Sequence, residues 1–278
     1  MKRLVVTADD FGLSLEVNEA VRRAHREGIL TCASLMMGAP AVDEAVAIAR
    51  AEGLPVGLHL TLVDGRPVLP AERVPDLVDA QGLLGPGLGG PAVRLVLSAR
   101  ARRQARAESE AQMQAFLATG LKLDHVNAHH HFHLHPSVLT IVIELARQCR
   151  APAVRVPFEP VVPPYRSALL GAVMMPWALR ARRRLRQAGV GTNDALFGVY
   201  DTGSMTEAAW LRIVPRIGPG LTEVYCHPAM SLTASPGEAP AASRPPDELA
   251  GLLSPVVRAA LDRAGVRLTS FAAAASQP

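Results

Sequence analysis

Short apolar runs alternate with longer amphipathic segments along the whole chain. The runs are four to ten residues long and rich in β-branched and other apolar residues, as buried strands are. They lie at 4–8, 33–37, 54–63, 121–128, 153–156, 196–200, 222–226 and 266–271. The pattern predicts eight strands.

The segments between these runs carry apolar residues at helical spacing. In the first segment, Val17, Val21 and Ala24 share one face. Ser14 is suited to cap the start of this helix, and Gly28 to end it. Helices are predicted at 14–28, 42–51, 92–119, 136–150, 206–217 and 248–264.

Strands that alternate with helices from end to end predict a parallel sheet wrapped by helices. Although 278 residues could form two domains, α/β barrels of this length are routinely one. We predict a single (β/α) barrel domain over 1–278, with excursions near 64–90 and 157–195. A doubly wound open sheet is the alternative, but residues 9–12 lack the glycine-rich phosphate loop of that fold.

Histidines are concentrated in one segment. Six of the nine fall within residues 125–135, where Phe132 and Leu134 interrupt them, so they are not a tag. Histidine is the commonest metal ligand in proteins. An Asp9-Asp10 pair ends the first predicted strand, and His59 lies in another. This combination indicates a divalent-metal enzyme.

Several of these polar residues lie at or just past the end of a predicted strand. They are Asp9, Asp10, His59, His129, Arg155 and His227. In a (β/α) barrel the carboxyl ends of the strands meet at one face, where the chemistry lies. The sequence therefore predicts one shared site at that face.

Each of these residues has a functional and a structural interpretation. Two adjacent carboxylates can divide labour between metal binding and proton transfer, and their repulsion should raise the pKa of one of them. His227 suits a general acid, and Arg155 suits holding a carboxylate or a substrate oxygen. A turn for the Asp pair, a core position for His59, a bend for His227 and a surface position for Arg155 are the structural alternatives.

Composition excludes several other classes of protein. A net charge of +4 with only 4% aromatic residues does not favour nucleic-acid binding. The three cysteines, Cys32, Cys149 and Cys226, form no pairing pattern and indicate a reducing compartment. Residues 1–10 do not read as a signal peptide, and no apolar run reaches 18 residues. We expect a cytoplasmic protein.

With these residues in hand, the chain resembles the YdjC-like (ChbG-type) carbohydrate deacetylases. The resemblance is carried by residues 7–14, 57–59, 124–133, 155–157 and 227–229. It implies a distorted (β/α) barrel of the polysaccharide-deacetylase type that removes N-acetyl groups from amino sugars. It also implies one divalent metal ion, Zn²⁺ or Mg²⁺, held by Asp10, His59 and His129, with Asp9 as the base and His227 as the acid.

The same resemblance leaves the other cluster histidines without fixed roles. Arg155, His131 and His133 are expected to bind substrate or support the ligands, and His125 and His135 to support the ligands or to be structural. Family members vary at the position of His130.

The chain is also similar to the hopanoid-biosynthesis-associated HpnK branch of these deacetylases, through residues 5–12, 65–70, 132–136 and 252–255. This similarity implies an N-acetylglucosaminyl bacteriohopane lipid as substrate, with a soluble chitooligosaccharide as the alternative. The apolar and basic stretch at 168–186 then suggests peripheral contact with the inner membrane. A homodimer is left open.

Three other functions remain open from the residues alone. A carboxylate with two histidines also fits a non-haem iron oxygenase. An amidohydrolase-type enzyme could use His131 and His133 as its ligand pair. A glycolipid-binding protein without activity would bind substrate and need no metal.

Overall fold

The computed structural model describes residues 1–160, 168–232 and 243–276, with the backbone alone for 168–173. Seven strands in this part of the chain form one parallel sheet. They are β1 (Lys2–Phe11), β2 (Cys32–Leu35), β3 (Val56–Leu60), β4 (Leu123–Ala128), β5 (Ala195–Phe197), β6 (Gly220–Cys226) and β7 (Val266–Leu268).

The sheet curls around its own core. Its order is β4-β3-β2-β1-β6-β5, and β7 pairs with the start of β1. The segment at 153–158 lies between the two outer strands. Arg155 N donates to the Val126 carbonyl on β4 (3.0 Å), and Leu196 N on β5 donates to the Phe158 carbonyl (2.8 Å). The curled sheet is thus bridged into a distorted barrel, which confirms the predicted α/β fold class.

Ten α-helices of the described chain cover the sheet or connect its strands. They are α1 (Leu15–Glu27), α2 (Val42–Glu52), α3 (Gly89–Leu97), α4 (Ala99–Ala118), α5 (Pro136–Gln148), α6 (Ala168–Gln187), α7 (Glu207–Ile213), α8 (Pro245–Leu253), α9 (Pro255–Arg263) and α10 (Phe271–Ala275). Short 3₁₀ helices lie at Ala71–Arg73, His129–Leu134 and Val214–Arg216.

The first helix forms for the reasons read from its sequence. Ser14 accepts a hydrogen bond from Val17 N, and Gly28 N donates to the Ala24 carbonyl at the other end. Val17, Val21 and Ala24 are buried, as their spacing predicts. Burial of this stripe, rather than helix propensity, supplies most of the stability of such a helix.

Three predicted elements do not form as continuous helices or strands. The helix predicted at 92–119 is two helices, because Ser98 takes an extended conformation and caps α4 through Ala101 N. The helix predicted at 248–264 is broken at Ser254 in the same way, before Pro255. The strand predicted at 153–156 forms only isolated bridges, to Val126 and Gly191.

In their described residues, the two excursions predicted near 64–90 and 157–195 contain few regular elements before their helices begin. Residues 61–88 contain one 3₁₀ turn and no strand. Within 157–195, residues 161–167 lie outside the described chain, and α6 follows them. No helix among the described residues combines the length and the apolar character that a membrane span requires.

Candidate metal centre and active site

The adjacent carboxylates of Asp9 and Asp10, near the end of β1, both lie close to the ring of His59. Successive residues of a strand normally point to opposite faces. Here Asp10 has a positive φ of 62°, and the pairing of β1 with β2 shifts between Ala8 and Phe11. As a result, Asp9 Oδ1 lies 3.9 Å from His59 Nδ1, and Asp10 Oδ1 lies 3.2 Å from Nε2 of the same ring.

Asp10, His59 and His129 form a group that we call the outer triad. His129 Nδ1 lies 3.1 Å from Asp10 Oδ1 and 3.2 Å from His59 Nε2. Three ligand atoms that are each about 2.1 Å from one ion lie about 3–3.5 Å apart. Asp10 Oδ1 is buried and has no hydrogen-bond partner among the described residues. Both observations fit one divalent cation.

A second group with ligand atoms consists of Cys32, Asp124 and His125, and we call it the inner triad. Its ligand atoms also lie within 4.8 Å of one another, and its side chains are fully buried. These two groups are the only metal-type clusters in the described part of the chain.

Arg155 holds the other carboxylate of the pair. It is fully buried, so the surface alternative is excluded. Its Nη1 and Nη2 donate to the two carboxylate oxygens of Asp9 at 2.5 and 3.0 Å. Its Nε and Nη2 donate to Glu223 Oε1 at 2.9 and 2.7 Å. Arg155 therefore bridges two buried carboxylates on neighbouring strands.

The expectation that one carboxyl of the Asp pair has a raised pKa is wrong. Burial alone would raise the pKa of Asp9, but the charge and hydrogen bonds of Arg155 and the charge of His59 lower it well below its usual range. Burial also opposes ionisation of Asp10, and the charges of His129 and His227 act against it, so the pKa of Asp10 is lowered too. Nearby cations decide the ionisation of both carboxyls.

His227 directly follows the last residue of β6. Its side chain is partly buried, and its charge helps to lower the pKa of both Asp9 and Asp10. Its ring packs edge-on against Tyr225, with centroids 5.5 Å apart. Its backbone N–H donates to Glu248 Oε2 at 2.5 Å, which ties the loop to α8. His227 is thus within electrostatic reach of both carboxylates, at the strand end where the sequence places it.

His131 and His133 do not join the outer triad. His133 is fully buried, and its Nε2 donates to the Arg155 carbonyl at 2.9 Å. Burial lowers the pKa of His131 well below its usual range, helped by the charge of Arg155, and its ring packs against Tyr225. Neither ring belongs to a metal-type group among the residues described, so the geometry does not favour them as an amidohydrolase ligand pair.

The remaining cluster histidines have other partners. His130 is exposed, and its Nε2 lies 3.3 Å from Asp64 Oδ2. His135 accepts a hydrogen bond from Ser137 N and so caps α5. His130 and His131 both have positive φ angles, of 51° and 55°, which turn the chain sharply after His129.

Sequence analysis missed three polar residues of this centre: Asn127, Glu223 and Glu248. Glu223 is a charged residue inside an apolar strand, and Asn127 alternates with His125 and His129, so that all three share a face. Both features are visible in the sequence and could have indicated Glu223 and Asn127. Nothing in the local sequence of Glu248 points to His227, 21 residues earlier.

The chain is similar to several known proteins in sequence and in fold. The chain is 32% identical to a carbohydrate deacetylase of Geobacillus stearothermophilus over 96% of each chain. It is also 32% identical to a carbohydrate deacetylase of Brevibacillus brevis, over 82% of this chain and 81% of that one. The crystal structure of an Enterococcus faecalis protein, whose name refers to cellobiose-phosphate cleavage, shares the fold with a TM-score of 0.79 at 24% identity over 97% of each chain.

The profile of one protein family matches residues 3–263, which is nearly the whole chain and includes every residue of the site. The chain therefore belongs to the YdjC-like protein family.

Proposed function

We propose that this protein is a metal-dependent N-deacetylase that releases acetate from an N-acetylated amino sugar. The observation that carries the proposal is the 3.1–3.2 Å spacing of the outer-triad ligand atoms beside Asp9 and His227. Relatives at 32% identity that are named carbohydrate deacetylases support the same substrate class.

Asp10 Oδ1, His59 Nε2 and His129 Nδ1 would hold the ion, and this donor set accepts Zn²⁺ or Mg²⁺. When bound, the ion polarises the acetyl carbonyl and lowers the pKa of water.

Asp9 is the proposed base. Arg155 keeps it ionised at neutral pH, so it is ready to accept a proton. Its Oδ1 accepts hydrogen bonds from Asn127 and Arg155, whereas Oδ2 accepts from Arg155 alone. The proton of the attacking water goes to this carboxylate. Because Arg155 is also bound to Glu223, the carboxylate is held in position, and position compensates for its low basicity.

His227 is the proposed acid. Its ring is partly open to solvent and lies beside both carboxylates. It donates its ring proton to the departing sugar nitrogen as the C–N bond breaks. Acetate and a free amine leave the site.

The test is release of acetate by the purified protein from N-acetylated chitobiose, with and without a chelator. Acetate that appears only in the metal-loaded protein supports the proposal. Substrate binding that persists in chelator, with no acetate under any condition, would instead identify a sugar-binding protein.

Within this class we propose an N-acetylglucosaminyl bacteriohopane lipid as the substrate. The residues at 65–70, 132–136 and 252–255 that resemble the hopanoid-associated branch support it. In α6, Trp177 and Leu179 are about half exposed, next to several arginines, a composition suited to a membrane surface. We therefore propose a protein of the cytoplasm that contacts the inner membrane through 168–186.

The lipid substrate and the membrane contact have a common test. Trp177→Ala combined with Leu179→Ala should lower acetate release from the lipid in vesicles and leave release from chitobiose unchanged. Equal loss on both substrates would reject the membrane contact. Release from chitobiose alone by the unaltered protein would favour the soluble sugar.

A further inference from the structure

A line of buried hydrogen bonds connects α10 to the outer triad. Asp124 accepts from the backbone N–H groups of Phe271 and Ala272 at the start of α10. Its Oδ2 lies 2.9 Å from His125 Nδ1, and His125 Nε2 lies 2.9 Å from Ser34 Oγ.

The line continues from Ser34 through a buried amide. Asn127 Nδ2 donates to Ser34 Oγ at 2.9 Å, and Asn127 Oδ1 lies 2.7 Å from His59 Nδ1. The line therefore ends on the nitrogen of His59 that faces away from Asp10 and His129. Every side chain in it is fully buried.

The direction of every hydrogen bond in this line follows from its first member. A carboxylate only accepts, so His125 carries a proton on Nδ1, and a neutral His125 ring presents a lone pair at Nε2. Ser34 donates its only hydrogen to that lone pair and accepts from Asn127. In the opposite arrangement, the Ser34 hydrogen would have no acceptor among the described residues.

The orientation of the Asn127 amide has a second, independent constraint. Its Nδ2 also donates to Asp9 Oδ1 at 2.9 Å, and the Arg155 guanidinium donates to both oxygens of the same carboxylate. With both amide hydrogens committed, Oδ1 must face His59. The proton of His59 is then on Nδ1, and the lone pair of Nε2 points toward Asp10 and His129.

Gly57 on β3 packs directly against His125. A Cβ on Gly57 would lie 2.5 Å from the His125 carbonyl and 2.6 Å from two of its ring carbons. Glycine at this position of β3 therefore leaves the space that the His125 ring occupies.

We propose that Asn127 is a positioning residue that aims the Nε2 lone pair of His59 at the metal, and that α10 helps to hold it through Asp124, His125 and Ser34. The inference rests on the proposed metal function. Partners that orient the ring of a metal-bound histidine typically contribute a factor of 10–100 in metal affinity.

The chain contains a matched control for Asn127. Asn193 is equally buried and also makes three hydrogen bonds, to the backbone N–H and carbonyl of Val156 and to the Ala195 carbonyl. None of them goes to a residue of the outer triad. Asn193→Ala therefore removes the same side chain and a similar share of stability.

The experiment titrates the metal-free protein with Co²⁺ alone, follows the visible absorption of the ion, and measures Tm in parallel. Asn127→Ala should weaken Co²⁺ binding by about 10–100-fold, whereas Asn193→Ala should change it by less than about twofold. Ser34→Ala, which keeps the Asn127 bonds to Asp9 and His59, should cost less than about tenfold, the equivalent of one hydrogen bond.

Each contrary outcome identifies what has failed. Unchanged Co²⁺ affinity in a folded Asn127→Ala protein overturns this inference alone. Equal weakening in Asn127→Ala and Asn193→Ala reduces Asn127 to a structural residue and overturns it as well. An unaltered protein that does not bind Co²⁺ overturns the proposed metal function, and this inference with it.

Discussion

The outer and inner triads each contain a carboxylate and an imidazole, but these groups differ in the hydrogen bonds that they already make. In the inner triad, both nitrogens of His125 and both carboxylate oxygens of Asp124 have hydrogen-bond partners. In the outer triad, Asp10 Oδ1 has none within the described chain, and two imidazole nitrogens face it at 3.1–3.2 Å.

The thiol of Cys32 in the inner triad is a further difference between the two triads. Burial, followed by the charge of Asp124, raises the pKa of Cys32 well above its usual range. The thiol therefore stays protonated, and a protonated thiol is a poor metal ligand. Both triads have ligand atoms within 4.8 Å of one another, and the hydrogen bonds that those atoms already make distinguish the two.

Asp10→Ala should have the largest effect, because it removes the one anionic ligand of the outer triad. Loss of metal chemistry worth several kcal/mol corresponds to a fall in turnover of about 10³-fold or more. The measurements are metal content by atomic absorption and acetate release. A variant that retains both would contradict the assignment of the outer triad.

His227→Ala tests a residue beside the outer triad that holds no metal. We expect turnover to fall by about 10²–10⁴-fold, since a placed general acid contributes that factor. Metal content should stay at the level of the unaltered protein. Full turnover in this variant would remove His227 from the mechanism.

Arg155→Met should destabilise the protein by about 3–5 kcal/mol, because it leaves Asp9 and Glu223 buried without their partner. It should also change the pH dependence of stability. The folded pKa of Asp9 lies below its ordinary value of 3.8, so its ion pair stabilises the protein above about pH 4 and is lost below it.

Urea unfolding at pH 3, 5 and 7 measures both effects of Arg155→Met. The gain in unfolding free energy between pH 3 and pH 5 should shrink in the variant, since burial then favours the protonated carboxyl. The control is Arg212→Met, whose ion pair with Asp201 is exposed on the arginine side and should contribute less than about 1 kcal/mol. Equal losses in the two variants would contradict the role given to Arg155.

Cys32→Ala should have the smallest effect. A buried substitution of this size costs about 1 kcal/mol of stability. Co²⁺ affinity should stay within about twofold of the unaltered protein, because the inner triad has no free ligand atom. A large loss of affinity would show that the two triads do not differ in the way proposed.

Much of the fold could be predicted because its signals are local. The apolar spacing of α1, with Ser14 and Gly28 at its ends, is visible within 15 residues. The helix breaks at Ser98 and Ser254 were missed, since the apolar spacing continues across them. In both cases a serine that caps the next helix interrupts a pattern that a single helix would also satisfy.

The candidate site could be predicted only in part, for a physical reason. The carboxyl ends of parallel strands meet at one edge of the sheet, so residues at those ends can be predicted to lie close together. Asp9, His59 and His227 were predicted in this way. The position of a strand end does not indicate which charges pair. Arg155 and Asp9 are 146 residues apart, and their contact reverses the direction expected for the pKa of Asp9.

Anomalous diffraction from crystals soaked in Co²⁺ is the most direct test of the outer triad as the metal site. The account predicts one strong peak about 2.1 Å from Asp10 Oδ1, His59 Nε2 and His129 Nδ1, with no peak at the inner triad. A peak at Cys32, Asp124 and His125, or no peak at either triad, would contradict it.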